Sequence, residues 1–386
     1  MKRSFKLIII FAVILMPLSA MSATIEVPDS IRVVVADDMP TLELSVRGRF
    51  RVVTVETREL LQEVKKSVFP IKVSSDAYGI NLGKDYFKIH AIEIMPEREP
   101  AISIGKRLYR GSLLIMRTKE GSLRAINIVG LDDYLKGVLY HEISHRWPME
   151  SIKAQAIASR TFALYQAQQN RTKDYYLKAD ISSQVYGGVY GERYRTNKAV
   201  DQPRGEVLTY RGKLLPAFFH ATCGGKTENA ARLWNVNLRP LKGTKCPFCK
   251  HSPHFYWSRS ISVSDIIERL KKNGYEVSDI ISIDTGRRDP SGRLIDLTLV
   301  GKKDSVEISA KHFRHFVGSD AIRSADFVVS VKGGIANFSG KGWGHGVGLC
   351  QWGAFTMGRE GEAAEEILRH YYPGSKLVKF RQAETP

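Results

Sequence analysis

The stretch LDDYLKGVLYHEISHRWPMESIKAQAIASRTFALYQAQQ, residues 131–169, decides the fold because it predicts two consecutive helices joined at a corner. In its second half, small residues share one helical face, which suits close packing against a neighbouring element. Residues 144–148 interrupt the periodicity, since the residue before a proline avoids the helical region. The sequence therefore places Glu142 at the C-terminal end of the first helix. The helical spacing of that first helix is carried by Leu131, Tyr134, Leu135, Val138 and Leu139.

The chain on either side of these helices is richer in strands. Residues 24–125 contain short runs of β-branched residues, several alternating polar with apolar, and Gly, Pro, Asn and Asp separate most of them. After the helices, short strands, loops and helices alternate. The pattern predicts an α+β protein with a β-rich N-terminal region at 24–125 and a mixed α/β domain, which carries the chemical motifs, at 126–380.

The first 23 residues are typical of a secretory signal peptide. Three basic residues within the first six precede an apolar run at residues 7–18, and small residues follow at 19–23. The run is shorter than the roughly 20 residues of a membrane-spanning helix. This favours cleavage between Ala20 and Ala23 over retention as an anchor. We therefore expect an exported protein, periplasmic or extracellular.

The formal net charge of +18 makes the chain strongly basic. Basic surfaces suit acidic polymers, and many basic proteins bind nucleic acid. Export makes nucleic acid a poor candidate. Anionic wall polymers and a membrane surface with acidic headgroups fit the expected location better, and a solvated surface without a specific partner is the other interpretation.

Residues 141–145 fit the pattern H-E-x-x-H, which on a helix places two histidines on one face to bind zinc and a glutamate to activate water. Pro148 stands three residues after His145, so the helix is expected to stop near the second histidine. A zinc metallopeptidase that uses His141, Glu142 and His145 is therefore an alternative, but the predicted end of the helix before Pro148 disfavours it.

Further motifs follow in order along the chain, and together they resemble the stage II sporulation protein D family. The resemblance covers roughly residues 125–380. One departure lies at the corner, where residues 141–144 replace the family's commoner Ala-Glu-Met-Pro. The matching segments are residues 131–164, ADISSQVYGG at 179–188, FFHATCGGKTENA at 218–230, GKGWGHGVGLCQWGA at 340–354 and ILRHYYPGSKL at 367–377.

The resemblance implies a peptidoglycan lytic transglycosylase, with Glu142 as the catalytic acid/base. Such an enzyme cuts the bond between N-acetylmuramic acid and N-acetylglucosamine without adding water, and leaves a 1,6-anhydro sugar. One carboxyl suffices because the sugar's own 6-hydroxyl is the nucleophile, whereas an ordinary glycosidase needs two. The carboxyl then needs a pKa raised by apolar surroundings. No cofactor is required for this chemistry.

The resemblance also implies partners and an alternative function. The substrate is expected to be glycan strands already stripped of their stem peptides, in the cell wall, so that an amidase that removes these peptides is an expected partner. Members of the family have also been viewed as amidase enhancers, which bind wall glycan and activate the amidase without cutting the strand. That non-catalytic role is the main alternative.

Several polar side chains are candidates for binding the substrate. Lys153 and Arg160 lie two turns apart on one face of the second helix, where they could bind the acidic lactyl group or steady Glu142. Arg160 is equally suited to be a structural anchor. His345 lies in a glycine-rich loop, which indicates either backbone close to a ligand or a tight structural turn. The full predicted set is Lys153, Arg160, Ser183, Gln184, Tyr186, His345 and Gln351.

The chain has four cysteines, Cys223, Cys246, Cys249 and Cys350. Cys246 and Cys249 have zinc-knuckle spacing. The other two lie inside the motifs of the family, so we expect the Cys-x-x-Cys stretch to fold back beside them. A structural zinc, two disulfides and free thiols are the alternatives. Export favours disulfides, but so short a Cys-x-x-Cys loop gains little from one.

Overall fold

A computed structural model describes residues 27–65 and 70–380. The fold is α+β with a β-rich N-terminal region, which confirms the predicted class. The predicted signal peptide at residues 1–23 lies outside the described residues. Within the described ranges, no helix combines the length and apolarity needed to span a bilayer.

Over residues 27–65 and 70–380, twelve strands precede the first helix and form most of two sheets, whose strands are antiparallel apart from one parallel pair. One sheet has seven strands in the order β13-β1-β12-β11-β8-β3-β4, with β13 at Leu177–Lys178, and the other has six in the order β10-β9-β2-β5-β6-β7. Side chains from both sheets share one buried apolar cluster. The strands are β1 Ile31–Met39, β2 Thr41–Val46, β3 Phe50–Thr54, β4 Leu60–Val64, β5 Ile71–Ser75, β6 Ile80–Leu82, β7 Asp85–Phe87, β8 Ala91–Pro96, β9 Ile102–Ile104, β10 Arg107–Tyr109, β11 Ser112–Arg117 and β12 Leu123–Val129.

In the described part of the chain, eight α-helices and the remaining strands follow. The helices are α1 Leu131–Glu142, α2 Met149–Gln169, α3 Tyr194–Asp201, α4 Ala230–Trp234, α5 Val263–Lys271, α6 Ala310–Val317, α7 Gln351–Arg359 and α8 Ala364–Tyr371. The strands are β14 Glu206–Tyr210, β15 Lys213–Leu214, β16 Phe219–His220, β17 Tyr256–Ser262, β18 Ser282–Thr285, β19 Asp296–Val300, β20 Ser305–Ser309, β21 Phe327–Lys332, β22 Ile335–Lys341, β23 Leu349–Cys350 and β24 Lys376–Lys379.

The two predicted helices of residues 131–169 are confirmed as α1 and α2. Two aspartates, Asp132 and Asp133, lie in the first turn of α1, where the helix dipole favours negative charge. The central helix α2 packs on α1, α3, α7, α8 and β14, so most of its circumference is buried. Its small residues divide between two apolar cores, with Ala156 in one and Ala158 in the other.

The strand β12 runs through the predicted boundary between residues 125 and 126. Strand β1 contributes Ile31 and Val33 to the same core as α1 and α2. Strand β13 pairs in parallel with β1, which attaches the chain just before residues 179–188 to the N-terminal sheet. The N-terminal strands therefore help to position the segment that faces the end of α1. The two-domain division stays a prediction.

The strands β17 to β22 and the helices α5 and α6 surround a separate apolar core. Its centre is aromatic, with Phe313, Phe327 and Phe338 in mutual contact. The strand pair β17–β22 extends from this core toward the glycine-rich loop at residues 342–348.

Candidate active site

Glu142 is the last residue of α1, and Ile143 leaves the helix with an extended backbone. The backbone N–H of Val185 donates to Glu142 Oε1 at 3.1 Å. Burial raises the pKa of Glu142 to about 7, and the Val185 hydrogen bond opposes that shift. Among the described residues, Glu142 forms no ion pair, and neither a cation nor a second carboxylate contributes to its pKa. Its carboxyl can therefore give and take a proton near neutral pH.

The Val185 N–H is held in place by the residues on either side of it. Gln184 and Tyr186, on either side of Val185, are both buried in the core. The hydroxyl of Tyr134 donates to Gln184 Oε1 at 2.9 Å, and that of Tyr186 donates to Asn127 Oδ1 at 2.8 Å. The two anchored side chains leave the intervening N–H free to bind the carboxyl of the acid.

This placement corrects the prediction that Gln184 and Tyr186 contact a sugar. Gln184 is 0% exposed and Tyr186 is 1% exposed, so neither offers its polar group at the surface. Their contacts make them positioning residues for the hydrogen bond to Glu142. Ser183 is partly exposed, and its hydroxyl accepts from the Lys178 N–H at 3.2 Å. A sugar contact by Ser183 stays a prediction.

A buried chain of hydrogen bonds crosses α2 from Gln184 to Gln351. The Gln184 amide donates to the Ser159 carbonyl at 3.5 Å, and the Gln155 amide donates to Ser159 Oγ at 3.1 Å. The Gln351 amide completes the chain by donating to Gln155 Oε1 at 3.4 Å. Gln351 is 7% exposed, so its observed role is in this network and not at an open sugar site.

Sequence reasoning missed Gln155 and the polar role of Ser159. The available signal was that Gln155 and Ser159 lie four residues apart, on one face of a helix whose buried residues are mostly apolar. A buried helix keeps such polar groups where they find hydrogen-bond partners.

The sequence left two roles open for Arg160, a substrate contact and a structural anchor. Its contacts are those of a structural anchor. Its guanidinium is fully buried and lies 3.2 Å from Asp132 Oδ1. It also donates to the carbonyl oxygens of Val200, Pro203 and Glu206 at 2.8, 2.9 and 3.4 Å. Arg160 thereby joins α2 to α1 and to the chain that leads into β14.

Lys153 is committed to a different carboxylate from Glu142. Its ammonium lies 2.7 Å from Glu150 Oε1, and Glu150 Oε2 accepts from the Ala364 N–H at 3.0 Å. The predicted role of Lys153 in steadying Glu142 is therefore not supported by its contacts, which tie α2 to the start of α8.

His345 lies among aromatic rings in the glycine-rich loop. Its ring contacts those of Phe218, His220 and Trp234, and its Nδ1 accepts from the Val347 N–H at 3.0 Å. Burial, followed by the charge of Arg314, lowers the pKa of His345 to about 3. The imidazole is therefore neutral at physiological pH, so it cannot serve as a cationic group toward the substrate.

The glycines of this loop have a structural explanation. Gly344 and Gly346 have φ of 106° and 87°, in the left-handed region that favours glycine. A Cβ at Gly346 would lie 2.4 Å from the Arg293 guanidinium carbon. Of the two interpretations that the sequence left open, the tight turn is the one that the geometry supports.

The geometry of a zinc peptidase is absent from the described residues. The helix α1 ends at Glu142, so His145 does not share a helical face with His141. Over residues 27–65 and 70–380, the only group of three or more potential ligands that could hold a metal ion is the set of four cysteines.

Partly exposed aromatic rings extend from the corner after α1 to the glycine-rich loop. The ring of Trp147 lies 5.0 Å from those of both Trp352 and Phe355. His254 continues the row, 6.2 Å from Trp352 and 4.6 Å from Trp343. Such rings combine an apolar face with polar edges. We call these five residues the aromatic row, which the sequence analysis did not identify.

Comparison with known proteins identifies the family. The family described as "Stage II sporulation protein" matches residues 119–210, and a domain of unknown function matches residues 241–348. Stage II sporulation protein D of Bacillus amyloliquefaciens is 32% identical over 280 residues, which cover 68% of this chain and 77% of that protein. The chain belongs to the stage II sporulation protein D family. The resemblance predicted from the motifs is thus confirmed.

Other relatives of this family member differ in how their roles are described. An uncharacterized protein of Brachyspira hyodysenteriae is 32% identical over 75% of this chain and 77% of its own length. An amidase enhancer of Bacillus subtilis is 29% identical over 64% of this chain but only 40% of its own length. Membership of the stage II sporulation protein D family, with an amidase enhancer among the relatives, supports a cell-wall-related role.

Proposed function

We propose that the protein is a peptidoglycan lytic transglycosylase in which Glu142 is the single general acid/base. The observation that carries this proposal is the isolated carboxyl of Glu142, with a pKa of about 7 and one hydrogen bond, from the Val185 N–H. A retaining or inverting hydrolase requires a second carboxyl about 5–9.5 Å away. No second carboxylate of the described residues perturbs the pKa of Glu142, which favours the one-acid reaction.

In the first step, protonated Glu142 gives its proton to the glycosidic oxygen as the bond from that oxygen to C1 of the muramyl residue breaks. In the second, the Glu142 carboxylate takes the proton of the C6 hydroxyl while that oxygen bonds to C1. The 1,6-anhydro ring closes, Glu142 is protonated again, and no water is consumed. The Val185 N–H stabilises the carboxylate between the two steps.

The proposed substrate is a glycan strand free of stem peptides, and the aromatic row offers it a surface. Sugar rings present C–H faces that pack on aromatic rings. The row begins at Trp147, five residues after Glu142, so a strand lying on it would extend away from the acid. The same proposal includes export to the cell wall and contact of the basic surface with anionic polymers. It also includes cooperation with an amidase that removes the stem peptides.

Mass spectrometry of peptide-free glycan strands after incubation with the protein tests this proposal. Anhydromuramyl ends are the expected product. Reducing ends would contradict the lyase and indicate a hydrolase. Intact strands that nevertheless bind the protein would favour the amidase-enhancer role, which the relative in Bacillus subtilis makes the second candidate.

The pH dependence of cleavage follows from the pKa of Glu142. The first step needs the protonated carboxyl, and its fraction falls as the pH rises through about 7. We therefore expect kcat/KM on peptide-free strands to decrease about tenfold per pH unit above that pKa. Circular dichroism over the same pH range controls for unfolding. A rate that stays constant to pH 9, with the protein folded, would contradict the role of Glu142 as the acid.

Replacing Gln184 by alanine tests its positioning role. Without the side chain that Tyr134 holds, the Val185 N–H is less well fixed, and this hydrogen bond favours the carboxylate. We expect kcat to fall by roughly 10–100-fold with little change in KM. We also expect a rise in the apparent pKa at which kcat/KM falls with increasing pH.

The matched control is Gln155→Ala, which removes an equally buried glutamine of the same network. It should destabilise the protein to a similar extent but leave the pH profile unchanged, because the hydrogen bonds of Gln155 go to Ser159 and Gln351 and not to the backbone beside Val185. Equal shifts of the apparent pKa in both variants would show that Gln184 acts only through general stability.

A further inference from the structure

Three chain segments bring the four cysteines together in one apolar core. Cys223 lies in the loop after β16, Cys350 ends β23, and Cys246 and Cys249 lie at the 3₁₀ turn Pro247–His251. Each of the four is at most 2% exposed, and none is in a disulfide. Their sulfur atoms all lie within 4.8 Å of one another, although up to 127 residues separate them along the chain.

This arrangement matches the ligand set of a tetrahedral ion. A zinc ion with Zn–S distances of about 2.3 Å holds its four sulfurs about 3.8 Å apart. The Cys223 and Cys249 sulfurs are 3.4 Å apart, and the largest separation in the set is below 4.8 Å. Sulfurs this close leave room for one ion and not for a cluster of several iron and sulfide ions. We propose that the four cysteines bind one structural zinc ion.

The groups around the sulfurs suit a zinc tetrathiolate. The Cys223 N–H donates to Cys350 Sγ at 3.3 Å, and the Tyr371 hydroxyl lies 3.1 Å from Cys246 Sγ. The buried guanidinium of Arg293 donates to the Cys223 carbonyl at 2.7 Å. Four thiolates and Zn²⁺ carry a net charge of −2, which the nearby N–H, O–H and guanidinium donors stabilise.

The nearby histidines do not belong to the set, because among the described residues the group of potential ligand atoms that lie within 4.8 Å of one another contains the four sulfurs alone. His220 Nδ1 is 3.1 Å from the Val347 carbonyl oxygen, and His254 packs on Trp343. Four protein ligands therefore close the site, as in structural zinc centres, and leave no position for a reacting water.

The site joins the segments that flank the candidate active site. Cys249 lies five residues before His254 of the aromatic row, and Cys350 lies two residues after the glycine-rich loop and directly before Gln351. A bound ion would therefore fix both segments against β16. This role goes beyond the proposed lyase activity and does not depend on it.

Metal analysis of the purified full-length protein tests the proposal. Elemental mass spectrometry should find about one zinc ion per chain in the wild type and none in the double variant Cys246→Ser/Cys249→Ser. Exchange with Co²⁺ should give the visible absorption of a tetrahedral cobalt thiolate. Removing the zinc with a chelator should lower the Tm by about 10 °C or more.

Ile367→Ala is the control for general damage to this core, because Ile367 is fully buried in the same cluster without being a ligand. It should lower the Tm but keep one zinc per chain. Three results would overturn the proposal: no thiols titratable in the denatured, unreduced protein, which means two disulfides; four free thiols in a folded protein without metal; or iron in place of zinc.

Discussion

Glu142→Gln is expected to abolish the formation of anhydromuramyl ends while the protein stays folded and still binds peptide-free strands. Glutamine has nearly the same volume and keeps an oxygen that can accept the Val185 N–H. It can neither donate nor accept the proton that both proposed steps transfer. General acid–base catalysis contributes about 10²–10⁴-fold per proton transfer, so the rate should fall at least by that factor. Mass spectrometry of the strands measures it.

Glu150→Gln is the matched control for this variant. Glu150 lies eight residues further on, at the start of α2, and its carboxylate is bound by Lys153 and the Ala364 N–H. Its loss should change the rate by no more than a few-fold, because these contacts lie apart from the Val185 hydrogen bond. A Glu142→Gln enzyme that retains the wild-type rate would place the acid elsewhere and end the proposed mechanism.

The elements of the site that local sequence determines were predictable. The apolar spacing of residues 131–139 predicted α1, and Pro148 predicted the corner, which together placed Glu142 at a helix end. The β-rich N-terminal region followed from alternation and turn residues. Each of these patterns acts within about ten residues of the chain, where side-chain periodicity and backbone preference decide the structure.

The direction of several polar side chains could not be predicted, because partners distant in sequence decide it. Gln184 and Tyr186 looked suited to a sugar, but Tyr134 and Asn127 draw them into the core. The raised pKa of Glu142 likewise depends on packing that no motif encodes. The convergence of the cysteines was expected only because two of them lie within motifs of the family.

Arg160→Ala is expected to destabilise the protein by about 3–5 kcal/mol, the cost of breaking a buried ion pair by removing one partner. The variant leaves Asp132 and the carbonyl oxygens of Val200 and Pro203 without their buried donor. Urea unfolding measures the change. Arg204→Ala is the control, since Arg204 pairs with the other oxygen of Asp132 at 3.1 Å but is 60% exposed, and should cost at most about 1 kcal/mol. If the Arg160→Ala protein has wild-type stability but binds glycan weakly, Arg160 is a substrate-binding residue and not a structural anchor.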